Sequence, residues 1–142
     1  MENQQQTLTA ANIRYLLAIR ELDAGQRGVR GSDIAQRLGV TKPSVFTMTR
    51  NLQGLGLVEK EKYGTISLTV SGRQKAERYT DCYALVLRQM ERSLGCTGAD
   101  CRKAACELLA DTPEQDLPLL RLRLQKKGTA RFCTEKKQQA KD

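Results

Sequence analysis

Residues 31–73 read "GSDIAQRLGVTKPSVFTMTRNLQGLGLVEKEKYGTISLTVSGR", and this stretch decides the fold. Ile34, Ala35 and Leu38 sit at helical spacing, with Ser32 placed to cap them and Gly39 to stop them. Thr41 then provides a fresh N-cap, Pro43 falls in the following first turn, and Val45, Met48, Leu52 and Leu55 form a second apolar stripe ended by Gly54 and Gly56. Two helices joined by a tight turn at Gly39–Val40 make a helix-turn-helix. The segment after it alternates, is rich in β-formers and breaks at Tyr63-Gly64, which predicts a hairpin. A helix-turn-helix followed by a two-stranded hairpin is a winged helix.

Upstream, "TAANIRYLLAIRELDAG" carries Ile13, Leu16, Leu17, Ile19 and Leu22, with Thr9 able to cap and Gly25 to close a first helix. Downstream, a long amphipathic helix from Ser71 lines Tyr79, Tyr83, Val86, Leu87, Met90 and Leu94 along one stripe and stops at Gly95. Thr97 or Asp100 caps a further helix to about Ala110, and Pro113 opens another. The expected fold is mainly α. A winged helix-turn-helix occupies 1–72, a helical dimerisation and sensing domain 73–127, and a flexible basic tail 128–142.

Composition agrees. In 142 residues there is no Trp and only 4% aromatic content, so the core is aliphatic. The net charge is +8, and residues 1–80 carry 12 basic against 7 acidic groups. That places the polyanion partner at the N-terminal half. On the second helix of the motif, the solvent-facing set is Thr41, Lys42, Pro43, Ser44, Phe46, Thr47 and Arg50. The wing adds Lys60, Lys62, Tyr63 and Thr65. Arg and Lys suit phosphates and guanine acceptors, hydroxyls suit either, and Phe46 suits a thymine methyl. The expected partner is double-stranded DNA. The chain has no histidine and no paired acids in a recognisable motif, so an enzyme is not expected. Neither a secretory leader nor an apolar run of membrane-spanning length is apparent, which points to the cytoplasm and to no membrane partner.

The stretches "YLLAIRELDAG" and 31–73, with "SDIA", "PSV", "GLV", "EKY" and "LTxxG" in order, resemble the metal-dependent repressors of the diphtheria toxin repressor and manganese transport regulator type. The resemblance runs from residue 9 to about 124 and lacks the additional C-terminal domain of longer members. It implies a homodimeric transcriptional repressor on palindromic operators, controlled by bound metal. Its ligand positions fall on Arg14, Leu17, Tyr83 (or Cys82), Cys106, Leu109 and Ala110, a set from which a hard manganese or ferrous site cannot be built.

What remains for sensing is sulfur. Cys82, Cys96, Cys101 and Cys106 lie in the region that the resemblance assigns to metal, and four thiolates suit an iron–sulfur cluster or tetrahedral zinc. The C-x4-C-x4-C spacing favours the cluster over zinc. Redox-active thiols and buried apolar cysteines without cofactor are the other readings. Five residues along one straight helix turn about 140°, so Cys101 and Cys106 converge only if Cys101 lies at the helix start or if both subunits contribute. The expected function is therefore a repressor answering to iron or redox state, with a metal-independent relative (constitutive, small-ligand or thiol-redox) as the alternative. Cys133, in the tail, reads as a free thiol.

Overall fold

The computed structural model describes residues 7–125; the tail at 128–142 and Cys133 lie outside them. Helices α1 (Ala10–Leu22), α2 (Gly31–Leu38) and α3 (Lys42–Gly54) precede the strands β2 (Val58–Lys60) and β3 (Thr65–Leu68). Then follow α4 (Val70–Leu94), α5 (Ala99–Asp111), a 3-10 turn (Glu114–Asp116) and a last helix, α6, over 117–125. A two-residue strand, β1 (Val29–Arg30), pairs antiparallel with β3, giving the sheet order β1-β3-β2.

Local chemistry explains the helix ends. Thr9 accepts a hydrogen bond from the Asn12 backbone N–H at 3.1 Å and starts α1. Gly39, at φ 66°, takes the left-handed turn that ends α2 and releases the chain into α3. Ser32 does not cap α2: the helix begins at Gly31 behind Arg30, because β1 runs directly into it and fixes the approach. Likewise Gly98, and neither Thr97 nor Asp100, precedes α5, with no side-chain cap. The wing turn is closed by the Gly64 N–H donating to the Glu61 carbonyl, with Gly64 at φ 77°. Val58 pairs with Leu68, Glu59 with Ser67 and Lys60 with Ile66.

One apolar core runs through both halves. Ile13, Leu16 and Ile19 of α1 pack with Ile34, Val45, Leu52, Leu57 and Ile66 of the winged part and with Ala76, Tyr79, Val86, Ala105, Leu109 and Leu117 of the helical part. The boundary expected at residue 72 thus lies inside α4, with continuous packing on either side. Gly72 marks the tightest approach. It is buried in the first turn of α4, and a Cβ there would collide with the Leu57 carbonyl oxygen. Thr69 completes the joint. Its hydroxyl accepts from the Gly72 N–H at 3.0 Å and donates to the Gly56 carbonyl at 2.7 Å, while its own N–H donates to the Leu57 carbonyl at 3.0 Å. The apolar stripe of α4 holds as far as Met90, but Leu94 is 71% exposed and lies outside the packed core.

Candidate nucleic-acid interface

Helix α3 presents two faces. Val45, Thr49 and Leu52 are buried, whereas Thr41, Lys42, Pro43, Ser44, Phe46, Thr47 and Arg50 all face solvent, as expected from their spacing. The hydroxyls on this face are partly committed to the helix itself. Thr41 accepts from the Ser44 N–H at 3.3 Å and lies 2.8 Å from the Ser44 hydroxyl, and Thr47 donates to the Pro43 carbonyl at 3.0 Å. Lys42, Phe46 and Arg50 are left as the side chains that project furthest from the helix's own bonding.

The wing lies against this face. The Phe46 ring, 52% exposed, has the Lys60 ammonium 4.9 Å from its centroid and the Arg50 guanidinium at 5.9 Å. A ring face attracts cations electrostatically. Phe46 therefore gathers one charge from α3 and one from β2 beside a cleft of about 260 Å³, to which Lys42 and Gly64 also contribute. Ser32 and Gln53 line the same cleft. Gln53 was legible in principle, since 46, 50 and 53 share one helical face. Ser32 was hidden by its assignment as a cap. Lys62 is exposed, and Tyr63, at the wing tip, is 94% exposed.

The cysteines behave differently from the four-thiol expectation. Among the described residues, no group of three or more His, Cys, Asp or Glu side chains could hold a metal ion. Cys82 is buried on α4 and donates its S–H to the Leu117 carbonyl at 3.4 Å. Cys106 is buried on α5; burial pushes its thiol up, and the Arg14 guanidinium partly opposes this. Cys96 is half-buried just beyond the end of α4, and Cys101 is buried in the first turn of α5. The set Cys82, Cys96, Cys101 and Cys106 thus divides among three places. Cys101 and Cys106 both lie within α5, so the helical rotation separates them, and among the described residues of this chain no iron–sulfur or zinc site of four thiols is assembled.

The ligand positions implied by the family resemblance do converge in part. Arg14, Leu17, Tyr83 and Cys106 all line one cleft of about 440 Å³ between α1, α2, α4 and α5. Leu109 instead is fully buried in the core. A guanidinium, an isobutyl group, a phenol and one buried thiol do not fit a hard divalent cation. Arg14 donates instead to the Leu38 carbonyl at 2.7 Å, at the end of α2 and just before the turn into α3. Burial, first of all, holds the Tyr83 phenol protonated, and the nearby Cys106 adds to that.

Comparison with known proteins agrees with this geometry. Residues 7–66 match the family described as iron dependent repressor, N-terminal DNA binding domain. The chain is 29% identical over 114 residues to the transcriptional regulator MntR of Escherichia coli O6:H1 (strain CFT073), covering 80% of this chain and 73% of that one. Among solved structures, the manganese regulator SloR aligns at 26% identity with a TM-score of 0.58, covering 75% of this chain and 51% of its own. The hypothetical protein SSo2273 from Sulfolobus solfataricus aligns at 23% identity with a TM-score of 0.56, over 84% of this chain and 91% of that one, and shares the fold. The chain thus spans about half the length of SloR. Residues 7–66 thus form a DNA-binding domain of the iron-dependent repressor type, in a chain whose fold is similar to that of SloR.

Proposed function

We propose that the chain is a transcriptional repressor that binds duplex DNA as a homodimer, with α3 in the major groove and the wing on the flanking backbone. The observation that carries this is the Phe46 clasp. It holds Arg50 of α3 and Lys60 of β2 about one exposed ring, beside a cleft that Lys42 also lines. Phosphate contacts give affinity and base-edge contacts give sequence preference, and this surface offers groups for both. A homodimer would place two such helices on the halves of a palindromic operator. The half-exposed Leu108, Leu119 and Leu122 and the exposed Leu94 are apolar surface that a second copy would cover. Among the described residues no helix is long and apolar enough to cross a membrane, in keeping with action on DNA in the cytoplasm.

The trigger is not a manganese or ferrous ion in the Arg14 cleft. Arg14 already supplies a positive charge there and ties α1 to the end of α2, which supports a thiol-based, small-ligand or constitutive mode of control.

Selection from a random duplex pool, followed by fluorescence anisotropy at several salt concentrations, tests the reading. Six or more phosphate contacts would make affinity fall about 10³-fold between ~50 and ~200 mM salt. Arg50→Ala and Lys60→Ala should weaken binding while leaving the melting temperature unchanged. Weak binding with no salt dependence would instead indicate a winged helix that docks on protein.

A further inference from the structure

No residue of the DNA-facing set lines the Arg14 cleft, yet cations gather there from three helices. Arg14 comes from α1, Arg37 from α2, and Arg102 and Lys103 from α5, against the carboxylates of Glu21 and Asp100. Two of the guanidiniums are fixed. Arg14 donates to the Leu38 carbonyl at 2.7 Å, and Arg37 is tied to Glu21 at 2.8 Å. Among the described residues, Arg14, Arg102 and Lys103 take part in no ion pair. With Glu21 already paired, Asp100 is the remaining carboxylate of the lining beside these three cations. A guanidinium has five N–H donors, so the bond to Leu38 leaves Arg14 with others for a second acceptor.

We propose that this cleft binds a small organic oxyanion, a carboxylate or a phosphate, whose charged group is held by Arg14 and Arg102 and whose body lies against Leu17, Leu38 and Tyr83. Paired N–H donors of a guanidinium match two oxygens of such a group. A volume of about 440 Å³ suits a metabolite-sized molecule. A neutral guest would leave the excess of cations uncompensated, and a metal cation would add to it. Tyr83 keeps its phenol protonated, because burial first of all raises it, so it enters as a hydrogen-bond donor and not as a competing anion.

The site reaches the recognition helix through one bond. Leu38 is the last residue of α2, and Gly39, which also lines the cleft, makes the left-handed turn toward α3. An oxyanion that shares the Arg14 guanidinium changes the strength and direction of its bond to Leu38, and so the hold on that turn. Occupancy of the cleft is in this way coupled to the presentation of α3. The coupling rests on the repressor reading, whereas binding of the oxyanion stands without it.

Isothermal titration calorimetry on the free full-length chain, at fixed ionic strength and without DNA, tests the site with phenyl phosphate, benzoate and neutral phenol as probes. At least one of the two oxyanions should bind with a Kd at or below ~1 mM, and phenol should give no saturable heat. The tighter of the two tells phosphate from carboxylate. Arg14→Gln and, separately, Arg102→Gln should each weaken binding at least ~10-fold. Arg88→Gln, at an exposed arginine of α4 outside the cleft, should bind as the wild type does. Circular dichroism shows whether each variant is folded. Absence of saturable binding by both oxyanions would overturn the proposal, as would equal binding of phenol or unchanged affinity in folded Arg14→Gln and Arg102→Gln. Fluorescence anisotropy on the selected duplex then reads the coupling: a saturating oxyanion should change DNA affinity at least ~5-fold in the wild type and not in Arg14→Gln. Calorimetric binding with unchanged DNA affinity would refute the link to the turn. No DNA binding at all would refute the repressor reading and leave the oxyanion site standing.

Discussion

Replacing Gly72 by alanine tests how the two halves are joined. Inside a helix, glycine to alanine ordinarily gains up to ~1 kcal/mol from propensity. Here the added methyl would meet the Leu57 carbonyl oxygen, with the Leu57 carbonyl carbon at 2.8 Å and its Cα at 3.1 Å. These are backbone atoms, so no rotamer change relieves the clash. The same carbonyl accepts from the Thr69 N–H at 3.0 Å, so moving it also strains the helix start. Overpacking of this kind costs about 1–3 kcal/mol and more when backbone must move. Against the propensity gain, a net loss of roughly 1–2 kcal/mol follows. At ~3–5 °C per kcal/mol for a chain of this length, the melting temperature should fall by roughly 3–10 °C in thermal circular dichroism. Gly54 in α3 is the control. A Cβ there meets nothing within 4 Å and its φ is ordinary, so Gly54→Ala should be neutral or slightly stabilising. If Gly72→Ala melted at or above the wild type, the close approach of α4 to the base of the wing would be wrong.

Thr69→Val should remove both the cap on α4 and the bond to the Gly56 carbonyl, lowering stability by about 1–2 kcal/mol in urea titration. Stability should also decline in alkali. Burial first, then Glu114 and Cys82, raise the Tyr79 phenol from 10.0 to about 12, so the fold prefers its neutral form. That preference is fully present below pH 10 and is lost as pH rises from 10 to about 12, amounting to about 2–3 kcal/mol. The buried thiols of Cys82 and Cys106, both raised from 9.0, begin the decline earlier. Adding manganese(II) or iron(II) to the reduced chain should leave both the melting temperature and DNA affinity unchanged, because Arg14, Leu17, Tyr83 and Cys106 do not make a hard-cation site. A metal-dependent rise in melting temperature, measured by differential scanning fluorimetry, would contradict that.

What was legible in the sequence was local. Thr9 and Thr41 as caps, Gly39 and Gly95 as stops and Gly64 in the wing turn each act through neighbours a few residues away. The outward face of α3 followed from helical period alone. β1 was not legible: two residues make a strand only because β3 lies alongside them. The cap of α2 accordingly falls on Arg30, at the end of β1, instead of on Ser32. The cysteines misled because counting thiols ignores direction. Cys101 and Cys106 are near in sequence yet rotated apart on α5. The ligand positions implied by resemblance did gather around one cleft, and it was the side-chain chemistry at them that had changed.

Helix α4 leaves the base of the wing at Val70 and reaches the cysteine corner at Leu94 without a break. Its 25 residues make a rod of about 37 Å, anchored at one end by Thr69 and Gly72. Such a rod behaves as a pointer. A shift of ~3 Å at its far tip, at the α4–α5 corner, corresponds to a tilt of only ~5° at the base of the wing.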